Sequence, residues 1–168
     1  KLSQIKNQVD QLLAECGEKR SVNFESADNL AEAVPKARII VTATPSRTPV
    51  IQREWVMPGT HISCLGADMA GKQELDSKIL ADASVFVDDI GQSISVGECE
   101  AAIKNNVITE DQLSCEIGEV ISGTHAGRRN NTEITVFDSS GVALQDLACC
   151  SRLLEKADSL NKGVLVDF

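Results

Sequence analysis

The chain has 168 residues, of which 42% are hydrophobic and only 3% aromatic, and its formal net charge is −9. A chain of this length can bury a core, and with so few aromatic side chains that core has to be aliphatic. Surfaces that bind nucleic acid or anionic membranes need clustered Lys and Arg, so the acidic balance argues against both. The sequence has no run of about 18 apolar residues, which argues against a transmembrane helix.

Six cysteines are present, and none of them has the C-x-x-C spacing of zinc and redox motifs. The sequence contains only two histidines, His61 and His125, as further metal ligands. We therefore expect reduced thiols, no metal site, no disulfide framework and a cytoplasmic location.

The first predicted element is an amphipathic helix. Apolar residues recur at helical spacing from Leu2 to Leu13, and Gly17 is a suitable C-cap. The chain starts inside this pattern and without a methionine, so we expect it to be a fragment of a longer protein.

Beyond this helix, apolar runs alternate with helical segments. Buried strands are predicted at ARIIVTAT (37–44), THISCLG (60–66), SVFVDD (84–89) and EITVFDSS (133–140), and weaker strands at VNF (22–24) and GVLVDF (163–168). A loop is predicted at PSRTPVI (45–51). Helices are predicted at ADNLAEAV (27–34), KQELDSKILADA (72–83) and ECEAAIKNN (98–106), as two short helices over ITEDQLSCEIGEVISG (108–123), and as a long helix over GVALQDLACCSRLLEKADSL (141–160). This alternation predicts an α/β fold with a doubly wound parallel sheet.

Three of the predicted strands end alike, in small and polar residues. In a parallel sheet such ends lie on one edge, where ligands of open α/β sheets bind. The three ends are VTATPS (41–46), LGADMAGK (65–72) and VFDSSG (136–141). They offer hydroxyls, glycines that permit close backbone approach, and one acid in the second loop: Thr42, Thr44, Ser139, Gly66, Gly141 and Asp68.

The residues alone leave the roles of the charged side chains open. Asp68 suits a helix N-cap or a turn as well as a functional site. Lys72 suits a phosphate or ribose contact, or a solvated first turn of a helix. Asp88 and Asp89 end the third buried strand, where paired carboxylates could bind a metal or a ribose, but we expect them to be solvated or to cap a helix. We likewise expect Glu98 to cap the helix that it begins.

The sequence lacks the phosphate-binding turn of a Rossmann domain. That turn needs glycines in a G-x-G-x-x-G pattern, which bring backbone N–H groups against a pyrophosphate, and no G-x-G occurs in the chain. Either this is not a dinucleotide-binding domain, or its first βαβ piece lies outside the chain.

The chain resembles the ornithine cyclodeaminase/μ-crystallin family. The resemblance rests on VTATPSRTPVI, LGADMAGKQELD, VFVDD, IGEVISG and ITVFDSSGVALQD, in this order and spacing. GKQELD and FDSSGVALQD look most like the archaeal-type alanine dehydrogenases. The resemblance extends over residues 30–160, and it implies a Rossmann-like domain that binds NAD or NADP and a homodimer in the full-length protein.

The family's organisation implies two parts in this chain. Residues 1–140 are expected to form a partial Rossmann-like NAD(P)-binding domain that lacks its first βαβ piece. Residues 141–168 are expected to form a C-terminal helix and tail that return to an N-terminal dimerisation and substrate domain outside the chain.

The resemblance also assigns site residues. Asp68 matches the family's catalytic acid. The implied cofactor contacts come from the three strand ends: Thr42 and Thr44 at the first, Leu65, Gly66, Ala67 and Lys72 at the second, and Ser139 at the third.

The implied activity is hydride shuttling at the α-carbon of an amino acid, as in the conversion of ornithine to proline and ammonia. Asp68 would be the general base that frees the amine, and the cofactor would supply the redox chemistry. The alternatives are an alanine dehydrogenase, a cyclic ketimine reductase, or a crystallin-like ligand-binding protein without catalysis. Crystallin-type members tend to lack an acid at the position of Asp68, so its presence favours an enzyme. The chain on its own is expected to be inactive.

Overall fold

The computed structural model describes residues 2–17, 22–164 and 166. They form two compact units, Lys1–Ala33 and Val34–Phe168. The first unit contains helix α1 (Leu2–Glu15) and the single turn α2 (Leu30–Ala33). Gly17 ends α1 in the left-handed region, with a φ of 75°, as a C-capping glycine does. The predicted strand at residues 22–24 is absent, because these residues have no strand pairing.

The second unit carries the sheet. Its strands are β1 (Ile39–Thr42), β2 (Arg47–Ile51), β3 (His61–Cys64), β4 (Gln73–Leu75), β5 (Ser84–Val87), β6 (Leu113–Glu116) and β7 (Thr135–Asp138). Its helices are α3 (Ser77–Asp82), α4 (Ile90–Ser95), α5 (Glu98–Lys104), α6 (Ile117–Ser122) and α7 (Ala143–Ser159). Five strands form one parallel sheet in the order β1-β3-β7-β5-β6, so β7, the last strand among the described residues, lies at the centre. Strands β2 and β4 form a separate parallel pair.

The core is aliphatic, as the composition predicts. Alternate residues of the central strands, such as Ile62 and Val136, join Ile79 of α3 and Ala102 of α5 in one buried cluster. The opposite face of the sheet is less covered, since Ile39 of β1 is 70% exposed. The doubly wound arrangement is therefore complete on one face only within the described residues.

Two local predictions are wrong for the same reason. Residues 45–51 are not only a loop, and residues 72–83 are not one helix, because β2 and β4 pair with each other. Helix α3 begins only at Ser77, where the Asp76 side chain accepts a hydrogen bond from the Lys78 N–H at 3.0 Å. Tertiary pairing here overrides the helix propensity of a short segment.

The prediction of two helices over residues 108–123 is wrong in its first half. A 3₁₀ turn at Glu110–Gln112 leads into the edge strand β6, and only α6 is helical as expected. At the C-terminus, α7 confirms the predicted long helix. The strand candidate at 163–168 lies partly outside the described residues, and residues 163, 164 and 166 form no strand. None of the helices in the described part of the chain has the length and apolar character needed to cross a membrane.

Candidate active site

The three predicted strand ends lie side by side at one edge of the sheet. Thr42 is in register with Cys64, and Cys64 with Asp138. The ladder continues one residue further, because the Leu65 N–H donates to the Thr42 carbonyl at 2.8 Å and the Ser139 N–H donates to the Cys64 carbonyl at 3.0 Å. The loops after β1, β3 and β7 therefore begin next to one another.

The first two loops share one buried carboxylate. Glu74 is fully buried, and its Oε1 accepts the Thr44 N–H at 2.6 Å while its Oε2 accepts the Gly66 N–H at 3.0 Å. A Cβ on Gly66 would lie 2.5 Å from Cδ of Glu74 and closer still to the Thr44 carbonyl oxygen. Only glycine therefore fits at residue 66 without a shift of the backbone.

The charged pair of the second loop is Asp68 and Lys72. The Lys72 ammonium donates to the Asp68 carboxylate, and the two side chains differ in exposure, 57% for Asp68 and 16% for Lys72. This hydrogen bond lowers the pKa of Asp68 below its usual value. The loop is anchored between them, since Gly71, at a φ of 76°, donates its N–H to Glu100 of α5 at 2.7 Å. Asp68 is thus an ionised, accessible carboxylate on a fixed loop.

The other residues that the resemblance assigns to cofactor binding differ in exposure, and they form a partly exposed group and a buried group. Thr44, Leu65 and Ser139 are partly exposed at the edge, with Leu65 at 48%. Thr42, Gly66 and Ala67 are buried. The Thr42 hydroxyl points into the core and has no hydrogen-bond partner among the described residues. Thr44 is therefore the threonine that reaches the surface of the first strand end.

Asp88 has a role that the sequence did not indicate. Its carboxylate accepts the Ser140 hydroxyl at 2.6 Å and the Gly141 N–H at 2.9 Å, and the Ser139 hydroxyl at a longer 3.4 Å. It thus fixes the loop after β7, where solvation or helix capping was expected. The expectation is confirmed for its neighbour Asp89, which caps α4 by accepting the Gln92 N–H at 2.7 Å.

Two more carboxylates lie behind Glu74. Both oxygens of Glu98 contact the Glu74 N–H, and its Oε1 accepts the Leu75 N–H at 2.6 Å. Asp138 in turn accepts the N–H groups of Glu98 and Cys99 at 3.0 and 3.1 Å. We call Glu74, Glu98 and Asp138 the carboxylate series. The expected role of Glu98 as a cap of its own helix is wrong, because Asp138 caps that helix.

The carboxylate series has no cationic partner within the described part of the chain. No Lys or Arg within residues 22–164 forms an ion pair with any of its members. Burial therefore raises the pKa of Glu98 to about 7 and that of Asp138 to about 6, against the opposing effect of the backbone hydrogen bonds. In the described part of the chain, no three His, Cys, Asp or Glu side chains are placed to hold a metal ion.

Residues 1–161 match the family model of the ornithine cyclodeaminase/mu-crystallin family. The chain belongs to this family. The predicted α/β fold with a Rossmann-like parallel sheet and a long C-terminal helix is confirmed as well, because solved members have the same fold.

Two curated relatives and one solved structure show how the chain fits into the family. Alanine dehydrogenase of Archaeoglobus fulgidus is 46% identical over 138 residues, which are 82% of this chain and 43% of that protein. Iminosuccinate reductase of Paracoccus denitrificans is 41% identical over 152 residues, 90% of this chain and 46% of that protein. An archaeal alanine dehydrogenase dimer with bound NAD has a TM-score of 0.80 at 39% identity, over 98% of this chain and 51% of its own. The chain thus spans about half the length of the relatives it matches.

Proposed function

We propose that the edge formed by the loops after β1, β3 and β7 is the nicotinamide end of an NAD(P) site. In this proposal the full-length protein transfers a hydride at the α-carbon of an amino acid or of the corresponding imine. The observation that carries the proposal is Asp68, an accessible carboxylate paired with Lys72 at the edge where the three loops meet. Ligands of open α/β sheets bind at this edge.

The residues at the edge suit the nicotinamide ribose end of a dinucleotide rather than its pyrophosphate. Thr44 and Ser139 offer hydroxyl groups and Leu65 offers an exposed apolar surface, which fit a ribose and a flat ring. Backbone N–H groups that could hold a phosphate are already used, since those of Thr44 and Gly66 donate to Glu74. The chain also has no glycine-rich phosphate turn. NAD(P) would supply the hydride chemistry, and these side chains would orient its nicotinamide ribose.

In this proposal Asp68 is the residue that moves a proton. The hydrogen bond from Lys72 keeps its pKa low, so Asp68 is ionised near neutral pH and can accept a proton from a substrate amine or from an attacking water. Its exposure leaves one side of the carboxylate open to a substrate. Lys72 has two roles in this proposal: it orients Asp68 and it contacts the cofactor.

Among the reactions of the family, we propose amino-acid dehydrogenase or imine reductase activity first. The alanine dehydrogenase and the iminosuccinate reductase are 46% and 41% identical to this chain. The conversion of ornithine to proline and ammonia remains the second candidate, on the ground that the matching family includes cyclodeaminases.

The two candidates differ in what happens to the cofactor. The test incubates the full-length protein with NAD⁺ or NADP⁺ and either L-alanine or L-ornithine, and follows reduced cofactor, ammonia and proline. A dehydrogenase accumulates reduced cofactor in proportion to ammonia. A cyclodeaminase releases proline and ammonia without net reduction, because the hydride returns to the product. A lack of turnover in both directions, with imines included as substrates, would contradict the proposal and favour a crystallin-like binding protein.

The role of Asp68 is tested by Asp68→Asn, which we expect to lower kcat by about 10²-fold or more, the usual contribution of a general base. The matched control is Asp82→Asn. Asp82 is also an exposed carboxylate in an ion pair, with Arg53 at 2.5 Å, but it lies on α3 and outside the site. A fully active Asp68→Asn variant would refute the assignment of this residue.

A further inference from the structure

We infer that Glu74 is a positioning residue, whose carboxylate holds the first two site loops in the geometry that hydride transfer requires. This inference rests on the proposed function, because it assigns those loops to the nicotinamide end of the site. Glu74 does not reach the surface itself, being fully buried, so it acts through Thr44 and through the loop that carries Asp68.

The two hydrogen bonds of Glu74 join the strand ends of β1 and β3. The N–H groups of Thr44 and Gly66 lie just beyond the last ladder bonds of these strands, so no neighbouring strand accepts them. A buried N–H without an acceptor is costly, and Glu74 supplies an acceptor both to the buried N–H of Gly66 and to the part-buried N–H of Thr44. Asp68 follows Gly66 by two residues, so the position of the catalytic candidate depends on this contact.

The two bonds use different oxygens of the Glu74 carboxylate. Glutamine has one acceptor oxygen, and its amide nitrogen is a donor that cannot accept an N–H. Glu74→Gln therefore keeps the volume but leaves either Thr44 or Gly66 without an acceptor. The crowding around Gly66, where an added Cβ would lie 2.5 Å from the Glu74 Cδ, shows how closely the two loops and the carboxylate are fitted.

Glu74 is itself held by the rest of the carboxylate series. Its own N–H donates to Glu98, and the N–H of Glu98 donates to Asp138 at the end of β7. Each side chain thus fixes the backbone of the next, from the third strand end to the first two. The series links all three loops of the site through buried contacts that use no charged partner within the described residues.

The first measurement is amide hydrogen exchange of the full-length protein, read over peptides that contain residues 43–46 and 65–67. In Glu74→Gln we expect exchange about tenfold faster in at least one of the two segments, since one N–H loses its partner. The matched control is Glu133→Gln, the same substitution at another largely buried glutamate, whose side chain is 7% exposed and lies at the opposite edge of the sheet. Unchanged protection of both segments in Glu74→Gln would overturn the inference.

The second measurement separates positioning from mere stability. A displacement of about 1 Å of reacting groups can cost 10²-fold in rate, so Glu74→Gln should lower kcat by about 10–10²-fold. The KM for NAD(P) should change much less, because the phosphate-binding part lies elsewhere. Glu133→Gln should keep kcat even if it lowers the unfolding temperature. Faster exchange in Glu74→Gln together with a kcat equal to that of Glu133→Gln would refute the positioning role.

If Glu74→Gln does not fold, Glu98→Gln tests the same series one step away. Glu98→Gln keeps an acceptor for the Leu75 N–H but loses one of the two oxygens at the Glu74 N–H, so it should show the same pattern with smaller changes. A lack of turnover in the unmodified protein would refute the proposed function instead. The exchange measurement would still decide whether Glu74 holds the two loops.

Discussion

The sheet has one edge where its strands begin and another where they end, and the buried carboxylates at these two edges have different partners. At the edge where the strands begin, Glu133 accepts the Ser84 hydroxyl at 2.5 Å and pairs with Arg129 at 2.7 Å. These hydrogen bonds lower its pKa to about 2. At the edge where the strands end, the carboxylate series is buried and has no ion pair within residues 22–164, and burial raises the pKa of Glu98 to about 7. The same side chain is thus favoured as a charged group at one edge and disfavoured at the other.

This difference indicates that the contacts at the first edge stabilise the fold, whereas those at the second edge fix the positions of the site loops. Arg128 strengthens the first edge further by donating to the carbonyls of Gly59 and Glu133 at 3.1 and 2.8 Å. The second edge instead uses carboxylates as acceptors for backbone N–H groups that no strand pairs. Perturbed pKa values of this kind collect at functional sites, and here the raised values belong to Glu98 and Asp138.

The largest expected effect, and the strongest test of this difference between the two edges, is the pH dependence of the free energy of unfolding. A carboxyl group whose folded pKa is raised adds stability below its unfolded pKa and loses it as the pH rises through the folded value. For Glu98 this loss lies between pH 4.5 and about 7, and it amounts to roughly 3 kcal/mol. Glu98→Gln should flatten the unfolding free energy over this range, measured by denaturant titration at several pH values. Asp138, whose folded pKa is about 6, should leave a residual slope.

The control for that experiment comes from the other edge. The folded pKa of Glu133 is lowered from 4.5 to about 2, so its contribution is present above pH 4.5 and is lost as the pH falls through 2. Glu133→Gln should therefore change the acid limb and leave the slope between pH 4.5 and 7 intact. If Glu98→Gln kept the full slope over that range, the carboxylate series would not be the source of the pH dependence.

A smaller effect is expected from the crowding at Gly66. Gly66→Ala places a methyl group against the Thr44 carbonyl and the Glu74 carboxyl, and overpacking of this kind costs about 1–3 kcal/mol. Gly118→Ala is the matched control, because an added Cβ at Gly118 in α6 meets no atom within 4 Å. It should be neutral or stabilise by about 0.4–1 kcal/mol. Equal unfolding free energies for the two variants would show that the strand ends are not closely fitted.

The sequence predicts much of this fold, because four strands, β1, β3, β5 and β7, lie in continuous apolar runs of the sequence. Strands β2, β4 and β6 were not predicted, because their sequences, RTPVI, QEL and LSCE, are not continuous aliphatic runs and these strands depend on pairing across the fold. The convergence of the three loops could be predicted, because the carboxyl ends of parallel strands share one edge.

The contacts inside the site could not be predicted in the same way. Glu74 lies in a segment, KQELD, whose composition indicates the first turn of a helix, and its partner Thr44 is 30 residues away in the chain. Burial decides its role, and burial of a single Glu has no local signal. The same limit applies to Thr42, because alternation along β1 turns its hydroxyl inward, although the strand end to which it belongs was correctly located.

The smallest expected effect concerns Lys72. It tests the contrast, within the site itself, between Asp68, which is paired with a lysine, and the carboxylate series, which has no ion pair within residues 22–164. The Lys72 hydrogen bond lowers the pKa of Asp68, so Lys72→Met should raise it. If ionised Asp68 is the base, the acid limb of the plot of kcat/KM against pH then moves to higher pH. Lys72→Met should therefore lose less activity at alkaline pH than at acid pH. Lys78→Met is the control, since it removes the same charge from an exposed position on α3 and should leave the limb in place. An unshifted limb in Lys72→Met would mean that Asp68 is not the group whose ionisation limits the rate.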